Sequence, residues 1–132
     1  YVGSEYAFAQ KIPYAIIQNA RGEFVLPTAE SISAAAAGTI PADTRTSITN
    51  ADAAGAYPIS TFTWMIIYKE QNYSDRSKEQ AEATLDLLQY ILSDEVQNIT
   101  TEVHYAPLPA KAKELSMKNL KAVTYDGVAI LQ

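Results

Sequence analysis

The side chains that could carry acid–base or metal chemistry are few in this 132-residue chain, and they are scattered along it. His104 is the only histidine, and a catalytic imidazole needs a nucleophile and an orienting carboxylate close by. Because Glu102 and the turn YAPLP are its neighbours, we predict a surface or helix-capping position for His104. Cysteine is absent, and the carboxylates follow no metal-binding spacing. The residues therefore predict a protein that is not an enzyme and has no cofactor or metal.

Three hydroxyl side chains are the most suggestive polar group. Ser60, Thr61 and Thr63 lie at the start of a segment that then becomes entirely apolar. One interpretation is that this segment enters from a cleft or hinge, where the hydroxyls could contact a ligand. The other is that they bond local backbone groups at the start of a strand. Both interpretations stay open at this point.

Composition excludes several classes of protein. The net charge is −5 and there is no basic stripe, so we expect no nucleic-acid partner. No apolar run approaches the roughly 20 residues of a membrane-spanning helix. A hydrophobic fraction of 48% is typical of a globular domain.

The first half of the chain predicts a short helical turn, a hairpin and one helix. Residues 1–10 predict a strand end that continues into a short helical turn. Tyr14–Gln18 and Glu23–Leu26 flank a turn at Gly22, which predicts a β-hairpin. Thr28 is a predicted N-cap, and the helix that follows is expected to end at Gly38. Residues 39–56 predict an irregular connection.

The second half predicts three helices and an extended tail. Ser77 and Gln80 form a capping box, followed by an apolar stripe of Ala81, Leu85, Leu88 and Leu92. Asp94 and Gln97 predict a second box, and a last helix is expected at about Ala110–Ala122. The tail VTYDGVAIL turns at its Asp-Gly pair.

The segment YPISTFTWMIIYKEQ predicts a strand over Tyr57–Tyr68 that is apolar on both faces. Such strands are normally buried between neighbouring strands and helices. The elements predicted here are too few to cover it. We therefore expect the cover to come from sequence outside this chain or from another copy, and we interpret the chain as the C-terminal part of a larger α/β protein.

Four blocks of the sequence resemble, in order, the phosphate-binding proteins of ABC-type phosphate importers. YVGSEYAFAQKIPYAIIQNARGEFVLPTAESI is similar to a family stretch that reads GAIGYVEYAYA, a hairpin and a P-[ST]-xE helix start. YPISTFTWMIIYKEQ resembles the family's crossover strand, and YAPLP and VTYDG resemble its closing segments. The GS at positions 3 and 4 departs from the commoner YVEYA.

The resemblance implies a two-lobed periplasmic-binding-protein fold of type II. Residues 1–56 would finish the second lobe, and residues 57–132 would form the crossover strand and complete the first lobe. It implies capture of inorganic phosphate and its delivery to ABC permease subunits, in the periplasm or outside the cell, either free or lipid-anchored.

The family's phosphate-ligand motifs do not occur in this chain. Arg21, Arg45 and Arg76 are not followed by the family's SGT, so no ligand is carried over, and the isolated chain is expected not to bind phosphate. Two alternatives remain. One is a secreted phosphatase-like relative of the same fold, and the other is a structural unit that self-associates through open sheet edges.

Overall fold

The computed structural model describes residues 2–131, which form five helices and two short antiparallel hairpins. Tyr1, and with it the start of the predicted strand end, lies outside the described residues. No helix among residues 2–131 is both long enough and apolar enough to cross a membrane. The elements are α1 Ser4–Ala9, β1 Ile17–Gln18, β2 Phe24–Val25, α2 Ala29–Ala35, α3 Lys78–Ile91, α4 Asp94–Glu102, α5 Ala110–Lys121, β3 Thr124–Tyr125 and β4 Val128–Ala129.

Both hairpins form around residues with left-handed backbone. In the first, Ile17 pairs with Val25, and the turn includes Gly22 at φ +80°. The predicted hairpin is confirmed, although its paired strands are shorter than expected. In the second, Asp126 and Gly127 both have positive φ, as a two-residue hairpin turn requires. The arms of the predicted tail therefore pair with each other.

The helix caps follow the sequence signals with two exceptions. Thr28 and Ser77 both accept the backbone N–H three residues on, in reciprocal capping boxes. Gly38 does not end its helix, because Ala36 and Ala37 already bond carbonyls three residues back and tighten the last turn. The fourth helix is capped by Ser93 and not by Asp94, since the Ser93 hydroxyl accepts the N–H of Val96 at 3.4 Å.

Among residues 2–131, the buried apolar side chains form three small clusters. The first belongs to α2 and the connection after it, with Ala35, Ile48 and Ala56. The second joins Ile40 to Ala112 and Leu115 of α5. The third packs Leu85 of α3 against Leu120 and Val123. Phe62 packs against the first and second clusters, so residues 57–68 pass between the two halves of the chain.

The strand predicted over Tyr57–Tyr68 is not formed, and this prediction is wrong for the present chain. We call residues 57–68 the ribbon. A strand needs a neighbouring strand to accept its backbone hydrogen bonds, and no described segment lies alongside the ribbon in that way. The apolar side chains are largely exposed, and Ile66 is 94% exposed. Within the described residues, the apolar surface of the ribbon therefore stays exposed. This is the surface for which the sequence predicted a cover from outside this chain.

The end of the ribbon is attached to the C-terminal hairpin by a carboxylate. Glu70 accepts backbone N–H groups of Asn72, Asp126 and Gly127 at 2.9–3.1 Å and the Thr124 hydroxyl at 2.8 Å. Thr124 also bonds the carbonyl of Lys69 and the N–H of Gln71 through its own backbone. Because these donors favour the ionised carboxylate, the pKa of Glu70 is lowered to about 2, with the Asn72 backbone N–H the largest cause.

Candidate functional site

A groove of about 990 Å³ lies among the described residues. Its walls are the N-terminal segment before β1, the first half of the ribbon, and the YAPLP turn between α4 and α5. Most of the lining is apolar or aromatic, which is common in ligand sites and in surfaces that another polypeptide covers. We take this groove as the candidate site because it contains the three hydroxyls singled out from the sequence.

The structure brings Ser60, Thr61 and Thr63 together on this groove. Ser60 is buried, and its hydroxyl donates to the carbonyl of Tyr57 at 2.8 Å. Thr61 is exposed, and its hydroxyl donates to the carbonyl of Phe62 at 3.1 Å. Both protons are thus used on nearby backbone, as the second interpretation expects. Thr63 is exposed and has no hydrogen-bond partner among residues 2–131, so its hydroxyl is free to donate toward the groove.

The groove has no strongly cationic side chain. Neither lysine nor arginine contributes to its lining within the described residues, whereas Glu5 does. A dianion held in a protein needs charge-assisted donors, most often from arginine. Within the described residues, charge-assisted donors from lysine or arginine are thus not part of the groove lining.

The three arginines are engaged elsewhere. Arg21 pairs with Asp52 at 3.2 Å and Arg45 with Asp43 at 2.8 Å, both on the surface. Arg76 lies beside a second, open pocket of about 600 Å³ and donates to the carbonyl of Gln80 and to hydroxyls of its neighbours. None of the three lines the groove.

Aromatic rings occupy one wall of the groove. Phe8 packs edge-on against Tyr14 at 5.0 Å between ring centres and also contacts His104 at 5.5 Å. His104 is exposed, has positive φ, and follows the end of α4, so its predicted surface position is confirmed. Burial raises the pKa of Tyr57 above its ordinary value.

Gln97 holds the YAPLP turn in position. The sequence instead predicted that it forms a capping box with Asp94, and this prediction is wrong. The side chain of Gln97 is buried and bonds the segments on either side of α4. The amide nitrogen donates to the carbonyl of Ile91 at 2.9 Å, and the amide oxygen accepts the N–H of Leu108 at 2.7 Å. Gln97 therefore fixes the YAPLP turn, one wall of the groove, against α4. A buried polar residue in a helix is visible only once the fold is known.

Asn19 plays a similar part in the first hairpin, and sequence reasoning missed it. Its buried side chain donates to Glu23 at 2.8 Å and to the carbonyl of Ala56 at 3.1 Å. Its oxygen accepts the N–H groups of Arg21 and Glu23. The hairpin is thereby attached to the residue that precedes the ribbon. The only signal in the sequence was an asparagine at a turn, which is common and not specific.

The described residues contain no group of three or more histidine, cysteine, aspartate or glutamate side chains that could hold a metal ion. Asp94 pairs with Lys113, and Glu70 closes the C-terminal hairpin as described above.

Comparison with known proteins gives matches over most of the chain. No family model matches the sequence. The sequence is 36% identical over 112 residues to "Phosphate-binding protein PstS" of Xylella fastidiosa strain Temecula1, covering 83% of this chain and 29% of that protein. It is 29% identical over 132 residues to the protein of the same name from Methanocaldococcus jannaschii, covering 93% of this chain and 34% of that protein. The chain thus spans about a third of the length of these relatives.

Proposed function

Because this chain is homologous to a segment of the phosphate-binding proteins named PstS, we propose that it is part of the solute-binding component of an ABC-type phosphate importer. In that role it contributes to the capture of inorganic phosphate and to its delivery to the membrane permease. The single observation that carries the proposal is the similarity over 83–93% of the chain to proteins named for phosphate binding.

The proposed architecture is a two-lobed binding protein of type II. Residues 1–56 belong to the second lobe, and residues 57–132 begin with the crossover and complete the first. Two of the three clusters support this division, because the first lies wholly before residue 57 and the third wholly after the start of the ribbon, whereas the second joins Ile40 to α5. Phe62, which packs against two clusters, lies where a crossover between lobes is expected.

The phosphate ligands in this proposal come from polypeptide outside these 132 residues. The groove supports that assignment because no lysine or arginine of residues 2–131 lines it, while desolvated phosphate needs such donors. Thr63 is the one hydroxyl of the three that we propose could face a ligand, and Ser60 and Thr61 would shape the crossover. The protein acts in the periplasm or outside the cell.

A chimera tests the proposal. This chain replaces the aligned segment of the Xylella fastidiosa protein, and phosphate binding is measured by calorimetry with sulfate as the control anion. We expect the chimera to bind phosphate within about tenfold of the parent affinity, a loss of up to roughly 1.4 kcal/mol. The parent lacking that segment, and this chain alone, are expected not to bind.

Two results would contradict the proposal. The first is a chimera that is folded by circular dichroism and binds the parent's phosphate no better than the deletion. The second, which would overturn the location of the ligands, is micromolar or tighter phosphate binding by the 132 residues alone. Hydrolysis of a chromogenic phosphate ester, lost on substitution of a named residue, would instead favour a phosphatase-like enzyme.

A further inference from the structure

Each end of the ribbon is joined to a hairpin by a glutamate side chain. Before the ribbon, Glu23 of the first hairpin accepts the backbone N–H of Gly55 and the side-chain amide of Asn19, both at 2.8 Å. After the ribbon, Glu70 accepts the four donors described above. All these groups belong to residues 19–127, so the arrangement does not depend on polypeptide that covers the ribbon.

The backbone donors at both ends depend on these two carboxylates. Within residues 2–131, the N–H of Gly55 has Glu23 as its only acceptor. The three backbone N–H groups bonded to Glu70 likewise have no other acceptor there. A carboxylate accepts at both oxygens, whereas a protonated carboxyl group gives up part of that capacity to its own proton. Protonation of either glutamate therefore weakens the bonds that hold these donors.

The two glutamates differ in how strongly their donors favour the ionised form. Glu23 has two donors, both on Oε2, whereas Glu70 has four, shared between its two oxygens. Hydrogen bonds to the charged form of a carboxyl group lower its pKa. The pKa of Glu23 is lowered, chiefly by the side chain of Asn19. That of Glu70 is lowered to about 2, chiefly by the N–H of Asn72.

Charged neighbours do not account for this difference. Arg21 is the smallest cause of the lowered pKa of Glu23 and is itself paired with Asp52. The connection that faces Glu23 also contains Tyr57. Titratable or charged side chains of the two segments that Glu70 joins are Lys69, Tyr73, Asp75, Arg76, Tyr125 and Asp126. None of those side chains is a cause of the lowered pKa of Glu70, which comes from hydrogen bonds.

We propose that the carboxylates of Glu23 and Glu70 make the attachment of the ribbon to its two hairpins sensitive to acid, and that the attachment at Glu23 loosens at a higher pH than the one at Glu70. Because both folded pKa values lie below the ordinary 4.5, the stabilisation is full above that value and is lost as pH falls. The bonds to Glu70 are lost last, as pH passes through about 2. Backbone bonds at Tyr57 and Lys69 remain, so both ends loosen without detaching.

Amide proton shifts of the ¹⁵N-labelled chain, followed from about pH 7 to about pH 1.5, measure the two steps separately. An N–H that donates to a carboxylate reports the protonation of that carboxylate. We expect the signal of Gly55 to move first, and those of Asn72, Asp126 and Gly127 to move together at about pH 2. The amide of Leu85, a fully buried residue of α3, should keep its native position through the first step.

Two variants and a control assign each step to its carboxylate. Glutamine keeps the shape of glutamate and has no titrating proton. Glu23→Gln should remove the step at Gly55 and leave the later step in place, and Glu70→Gln should do the reverse. The control is Glu102→Gln, at an exposed position of α4, which should leave both steps unchanged.

Hydrogen–deuterium exchange in the chimera repeats the test with the rest of a binding protein present. At neutral pH, Glu70→Gln should speed exchange in residues 69–76 and 123–129 by roughly threefold or more relative to Glu102→Gln, because bonds to a charged acceptor are the stronger ones. Glu23→Gln should do the same for the peptide that contains Gly55. The measurement needs no phosphate, so a chimera that fails to bind phosphate leaves this test intact.

Three results would overturn this proposal. One is a single step in which all four amides and that of Leu85 change together, which is ordinary acid unfolding. Another is a step at Gly55 that survives Glu23→Gln or that follows the step at Glu70. The third is exchange in the chimera that is equal for Glu23→Gln, Glu70→Gln and the control.

Discussion

Replacing Gln97 by methionine tests whether one buried amide holds the wall of the groove. Methionine keeps the length of the side chain and removes both hydrogen bonds, the one to the carbonyl of Ile91 and the one from the N–H of Leu108. A typical hydrogen bond contributes about 1 kcal/mol net, and a buried group left without a partner costs about 1–3 kcal/mol. Both bonds are only partly buried, so water can replace part of each.

We therefore expect Gln97→Met to lower the free energy of unfolding by about 2 kcal/mol. Urea denaturation followed by far-ultraviolet circular dichroism measures this value, because most of the ordered structure is helical. The matched control is Gln89→Met, the same substitution at an exposed position of α3, which should change stability by less than about 0.5 kcal/mol. Equal values for the two variants would refute the assignment of Gln97 as the residue that fixes the turn.

The remaining predictions concern the third cluster and the C-terminal hairpin. Leu85→Ala removes a fully buried side chain and should lower the free energy of unfolding, measured by urea titration, by about 2–5 kcal/mol. The control Leu87→Ala, at an exposed position of the same helix, should have little effect on this value. Glu70 has a folded pKa of about 2 against an ordinary 4.5, so its stabilising contribution is full above the ordinary value and is lost as pH falls through about 2. Glu70→Gln should therefore be less stable than the unmodified chain at pH 6, and the difference should shrink as the pH is lowered toward 2. A difference that does not change with pH would show that the ionised carboxylate is not what closes this hairpin.

Local signals in the sequence predicted local structure well. Thr28 was identifiable because threonine is a favoured N-cap residue, and Ser77 because the hydrogen bonds of a capping box join residues three positions apart. Gly22 and the pair Asp126–Gly127 were identifiable as turns because few other residues adopt positive φ there. Ser93 was missed in favour of Asp94, since both are good N-cap residues and stand next to each other.

Features that depend on distant partners could not be predicted in the same way. The apolar pattern of the ribbon indicated a buried strand, but a strand is defined by its neighbour, and residues 2–131 supply none. Glu70 depends on donors more than 50 residues away, and Gln97 on a turn that follows its own helix. Ser60, Thr61 and Thr63 line a groove, and their role as ligand contacts stays a prediction.

Both ends of the ribbon are attached to other parts of the chain by backbone hydrogen bonds. At its far end, Lys69 and Gln71 bond the backbone of Thr124. At its near end, the N–H of Tyr57 donates to the carbonyl of Ser31, and the carbonyl of Pro58 accepts the N–H of Asn50. Trp64 is held by the carbonyl of Thr44, and Ile67 packs against the third cluster. Bending of the chain would therefore concentrate at Met65 and Ile66, and if the segment serves as the passage between two lobes, the pivot would lie just ahead of Tyr68.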